Sequence, residues 1–100
     1  MAHPSKDKGN RYEREIVNQA KGQGIPAQRA YCSNGQALGL SKDVDCTIGP
    51  YAVQAKRRKK IADYLKPDPG ADVQIIREDR GQSLVVMPFE LFLKLISQTP

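Results

Sequence analysis

The chain has 100 residues, 39% hydrophobic and 27% charged, an ordinary balance for a folded domain and enough for one modest core rather than two. Sixteen Lys and Arg against eleven Asp and Glu give a formal net charge of +5, which favours a polyanionic partner. No apolar run is long enough to span a membrane, and the opening MAHPSKDKGN lacks the apolar centre of a signal peptide, so we expect a cytoplasmic protein without a membrane partner.

Residues 1–7 read as a disordered polar tail and residues 8–98 as a single domain. From about Gly9 the pattern turns helical: Tyr12, Ile16 and Ala20 recur every fourth residue with Val17 beside them, and Gly22 or Gly24 ends the run. Glu13 borders that apolar stripe. Its carboxylate can either reach over a sheet packed under the helix or pair on the surface with Arg11, Arg14 or Lys21. A short strand is predicted over 27–32, followed by the glycine-containing loop SNGQALGLSK, where Ser33 and Asn34 can contact phosphate or simply make turns. Cys32 and Cys46 fall in predicted strands without a metal-ligand spacing, and in a reducing compartment they read as small buried apolar residues.

The most informative stretch is DVDCTIGPYAVQAKRRKK, residues 43–60, with two alternating runs joined by Gly49-Pro50. Val44, Cys46 and Ile48 alternate with Asp43, Asp45 and Thr47, and Tyr51, Val53 and Ala55 alternate with Ala52, Gln54 and Lys56. Folded as a hairpin, the face with Asp43 and Asp45 lies beside the face with Gln54 and Lys56. Carboxylate and amide oxygens suit Mg²⁺, and a neighbouring ammonium can position a water or balance charge on a phosphate. Two acids and a lysine alone would read as a solvated strand face. The adjoining Lys56, Arg57, Arg58, Lys59 and Lys60 shift the balance, because a phosphate-binding run beside an oxygen-rich site suits nucleic acid.

Beyond the basic run, IADYL is long enough for about one helical turn before Pro67 and Pro69. DVQIIRED and SLVVMP read as a second hairpin around DRGQ, with Val73, Ile75 and Ile76 inward. Phe89, Phe92, Leu93 and Ile96 then form one face of a closing helix that has Pro88 in its first turn. The predicted order is αβββαββα, a mixed α/β (α+β) fold with a central mixed sheet flanked by helices.

This arrangement resembles the archaeal-type Holliday junction resolvases and their phage and bacterial relatives, of the PD-(D/E)xK nuclease superfamily. The resemblance is carried by KGNRYEREIV at 8–17, a serine-containing loop, an Asp opening a strand, a following strand with a polar residue, spacer and Lys, and the closing LVVMPFELFLKLI. It covers residues 8–97, and each motif alone is short and degenerate. It implies a restriction-endonuclease-like core, Mg²⁺ with Mn²⁺ as a substitute, no small-molecule cofactor, and a homodimer cutting four-way DNA junctions by paired phosphodiester hydrolysis in a bacterial or phage-infected cell. Residue by residue, the family's helix Glu falls on Glu13, its loop Ser on Ser33, its strand Asp on Asp43 with Asp45 two residues on, and its E-x-K pair on Gln54 and Lys56. The departure is Gln54, which offers a carbonyl oxygen without the negative charge of the usual Glu. Asp45 is the acid available to compensate. Two other readings follow: a catalytically inactive nucleic-acid-binding module, and a nuclease acting on flaps, ends or mismatched duplex.

Overall fold

The computed structural model describes residues 4–30, 36 and 39–98. The chain divides into two units, Met1–Arg57 and Arg58–Pro100. The fold is α+β, with two α-helices and small antiparallel sheets among the described residues.

In the first unit, helix α1 spans Pro4–Gly22, beginning ahead of the point where its apolar stripe sets in. Ile16, Val17 and Ala20 are buried, and Glu13 is buried with them. These four positions follow the i, i+3, i+4, i+7 spacing of one helix face, so the carboxylate occupies the stripe itself. The helix stops because Gly24 takes a left-handed φ of 78°, a conformation that costs glycine little. Ile25 N–H then donates to the Ala20 carbonyl at 3.0 Å and Gly24 N–H to that of Lys21 at 2.9 Å, which satisfies two terminal carbonyls and buries Ile25 against the last turn.

Strands β1 (Ala27–Arg29), β2 (Cys46–Ile48) and β3 (Tyr51–Val53) form an antiparallel sheet in the order β1-β2-β3. The register pairs Ala27 with Ile48 and Arg29 with Cys46, then Cys46 with Val53 and Ile48 with Tyr51. Cys46 and Ile48 are fully buried on the face that α1 covers, while Gln28 and Ala52 on the other face are exposed. Each buried isoleucine contributes about 1.5–3 kcal/mol through removal of apolar area from water. Gly49, at φ 57°, and Pro50 make the hairpin turn, and the Gly49 N–H is held by the Pro26 carbonyl at 2.7 Å.

In the second unit, a 3₁₀ turn at Asp63–Leu65 occupies the place of the single helical turn expected for IADYL. The Gln74 side-chain amide donates to the Tyr64 carbonyl and ties this turn to the next strand. Strands β4 (Gln74–Ile76) and β5 (Leu84–Val86) pair antiparallel, with Ile75 opposite Val85. Their turn brings the Gly81 N–H to the Glu78 carbonyl at 2.9 Å, with Arg80 at a φ of 62°. Helix α2 spans Phe89–Ser97 with Pro88 at its N-cap; Leu93 is buried and Phe89 stacks on Phe92 with ring centres 6.4 Å apart.

The expected αβββαββα order is met only in part, since a 3₁₀ turn stands where the middle helix was expected and α1 takes in residues 4–7 of the expected tail; three further differences concern the strands. The described strands are three residues each and pair only antiparallel, in a three-stranded and a two-stranded sheet, where one mixed sheet was expected. Asp43 and Asp45 precede β2, and Gln54 and Lys56 follow β3, so the strands are shorter than the alternation suggested. In β4 the orientation is reversed: Val73 and Ile75 are exposed, and Gln74 and Ile76 are the half-buried pair. The Gln74 bond to Tyr64 selects that face. Cys46 is buried as expected, and Cys32 lies outside the described residues.

Candidate functional site

Two groupings of polar side chains flank β2. On the α1 side, Glu13 meets Arg29, whose Nη2 donates to Oε1 at 3.4 Å. The register explains the meeting. Arg29 stands opposite Cys46 on the helix-covered face, so its side chain has to run beneath α1, where Glu13 sits. Arg29 Nε is buried and has no hydrogen-bond partner among the described residues, while the guanidinium edge reaches the carboxylate. A buried carboxylate without such a partner would be costly, which accounts for the pairing of these two residues.

The second grouping lies at the open end of the β2–β3 hairpin. The ladder continues past the strands: Ala30 N–H donates to the Asp45 carbonyl and Asp45 N–H to that of Val53, both at 2.8 Å. Asp45 Oδ2 then accepts the Ala55 N–H at 2.7 Å, so a side chain supplies the bond that another strand residue would have made. This bond places Asp45 against the Gln54-Ala55-Lys56 segment, and the Asp45 N–H bond to Val53, which Cys46 also pairs with, marks the end of the regular register. Asp43 is exposed in the preceding turn, where its N–H donates to Ser41 Oγ at 3.3 Å.

Cys46 separates the two groupings. Burial pushes its thiol up to about 11, Asp45 and then Glu13 add to the rise, and Arg29 opposes it. The thiol is therefore a neutral packing group with no nucleophilic character at neutral pH.

These positions decide how a metal ion could be held. Among the described residues no three Asp, Glu, Cys or His side chains converge as a metal-holding group. Glu13 is committed to Arg29 on the helix side of the sheet, and Asp43 is displaced into the turn. Asp45 Oδ2 is engaged by the Ala55 N–H, and Gln54 is exposed beside that bond in the chain. Lys56 follows Gln54 by two residues and is exposed, as are Arg57, Arg58, Lys59 and Lys60. The sequence reading grouped Asp43, Asp45, Gln54 and Lys56; the structure sets Asp45 against the 54–56 segment and Asp43 in the turn before it, and Ser33 lies outside the described residues. Arg29 was missed; its signal is a lone cation in a short strand paired with a buried apolar strand.

No protein-family model matches the chain, and no curated protein or solved structure matches it. Among the described residues no helix is long and apolar enough to cross a membrane.

Proposed function

We propose that the chain is a Mg²⁺-dependent endodeoxyribonuclease with a restriction-endonuclease-like core that cuts branched DNA, four-way junctions first, as a homodimer in the cytoplasm. One observation supports this above the rest: the Asp45 carboxylate grips Ala55 N–H at 2.7 Å, which holds an acid beside Gln54 and Lys56 where the chain enters five exposed cations. Asp45 and the Gln54 amide oxygen would hold the dication, with Asp43 close by in sequence. A bound dication would polarise the scissile phosphate and make attack by water easier. Lys56 offsets negative charge building on that phosphate. Arg57, Arg58, Lys59 and Lys60 hold the flanking backbone, a role that carries no sequence information. Glu13 acts from behind the sheet as a positioning residue, fixing Arg29 and through it the β1–β2 pairing that orients the hairpin.

The test is incubation of a synthetic four-way junction, a linear duplex and a single strand with and without Mg²⁺ or Mn²⁺. Paired nicks in the junction that require metal are the expected result. Asp45→Asn keeps an oxygen for the Ala55 N–H and removes the charge, so it should abolish nicking and leave stability and binding intact; Lys56→Ala should do the same. Full cleavage by either variant would place the chemistry elsewhere. Cutting that ignores the branch would assign flaps, ends or mismatched duplex as the substrate.

A second reading, a nucleic-acid-binding module without catalysis, is favoured by Gln54 in place of an acid and by the lack of a converged acidic group among the described residues. Binding that needs no metal, with no nicking under any condition, would establish it. Gln54→Glu should then raise metal affinity, since it adds the missing charge beside Asp45.

A further inference from the structure

We propose that the second unit carries a pocket for one unpaired nucleobase, with the Tyr64 ring as its stacking surface. The inference rests on the reading of the partner as nucleic acid, and it adds a site that recognises unpaired or extruded bases. Within this unit lies an open cleft of about 520 Å³, in the range of small-molecule sites, whose walls include Tyr64, Ile76, Leu84, Arg77, Glu78 and Gln82.

Four features favour a base over other occupants. Tyr64 is 67% exposed, more than the packing of the unit requires, and so offers a ring face to a flat partner. Its position is fixed, because the Gln74 amide holds the Tyr64 carbonyl and the 3₁₀ turn is closed by Leu65 N–H on the Ala62 carbonyl at 3.0 Å. Ile76 and Leu84 are a cross-strand pair that supplies an apolar floor. Arg77, Glu78 and Gln82 stand at the polar edge, with donors and acceptors together, as the edge of a base requires.

Charge identifies the rest of the ligand. Arg58, Lys59 and Lys60 are exposed and end four residues before Tyr64, at most about 14 Å of extended chain away. Phosphates held there would leave the attached base within reach of the ring, the pairing of cationic track and aromatic platform that single-strand binders use. A neutral apolar ligand would leave those three cations and Arg77 without a role. An acidic peptide would use the cations but would gain nothing from a ring and polar edge suited to a planar heterocycle.

The experiment measures binding without divalent metal, so that it reports whether or not the chain cleaves. The probes are a short DNA hairpin with a single 2-aminopurine bulge and the same hairpin fully paired. The wild-type chain should bind the bulged probe roughly five- to a hundred-fold more tightly, the range set by one base–aromatic stack, with a change in 2-aminopurine fluorescence. Tyr64→Ala should remove that preference and the fluorescence change while leaving affinity for the paired probe as it was. Tyr64→Phe should keep both. The ring is exposed and the hydrogen bond to Gln74 uses the backbone, so the alanine variant should fold; a matching circular dichroism spectrum checks this. An undiminished preference in Tyr64→Ala, or no preference in the wild-type chain, overturns the pocket and leaves the nuclease reading standing. Failure of the wild-type chain to bind either probe overturns the pocket, and failure to bind a four-way junction as well overturns both.

Discussion

The two units use their hydrophobic residues in opposite ways. In Met1–Arg57 the apolar side chains of α1, β1 and β2 are turned inward, and Ile16, Val17, Ala20, Ile25, Ala30, Cys46 and Ile48 are all buried. Among the described residues of Arg58–Pro100 only Leu93 reaches that state, while Ile61, Tyr64, Val73, Ile75, Leu84, Val85 and Leu95 are exposed. The difference has a geometric cause. A helix with four buried positions laid over β1 and β2 removes Ala30, Cys46 and Ile48 from water, whereas a two-stranded hairpin has too little surface to make a core of its own.

This contrast can be broken at several points, beginning with the largest effect. Ile48→Ala, at a fully buried position, should cost about 2–5 kcal/mol in chemical denaturation. Ile75→Ala, at a 69% exposed position, should change stability by less than about 0.5 kcal/mol. Equal losses would erase the distinction between the units. Arg29→Ala leaves the Glu13 carboxylate without the guanidinium, and we expect a loss of about 2–3 kcal/mol, scaled down from a fully buried pair because Arg29 is 31% exposed. Much of the loss should return on adding Glu13→Gln, as a double-mutant cycle would record. Gly81→Ala sets a Cβ 2.8 Å from Glu78 Cγ and 3.1 Å from the Glu78 carbonyl oxygen, and should cost about 1 kcal/mol, visible as faster amide exchange in β4 and β5. The smallest effect at neutral pH belongs to Cys46. Its thiol stays protonated in the fold up to about 11, and the unfolded chain loses that proton from its ordinary 9.0. Between those values unfolding releases a proton, so stability should fall as pH rises, with no contribution below that window. Cys46→Ala should flatten the alkaline limb of a stability–pH curve.

Much of this architecture was legible because it depends on periodicity and turn chemistry. The α1 stripe, the stop near Gly24, the Gly49-Pro50 hairpin and the Phe89–Ile96 face of α2 each follow from spacing or from a residue suited to an unusual φ. The parts that escaped depend on single contacts. Glu13 looked like a residue at the border of the stripe because Tyr12 was counted as its first member, yet Glu13 shares the stronger i, i+3, i+4, i+7 series with Ile16, Val17 and Ala20. Arg29 sits in a strand too short to show a period. The Asp45 bond to Ala55 N–H ends the regular ladder, and no alternation pattern reports a side chain that replaces a backbone acceptor. For β4, consecutive apolar residues at Ile75 and Ile76 suit either face, and the amide of Gln74 decides between them.

The brevity of β3 has a consequence for how the molecule behaves in a crowded solution. It is an outer strand of its sheet, and such strands invite a foreign backbone to add on. Here the invitation lasts only from Tyr51 to Val53, and the chain then turns into a line of cations that repels another copy of itself. The same charges that would grip a polyanion therefore also keep neighbouring molecules from zipping together along that margin, and a variant stripped of them should be the one that precipitates.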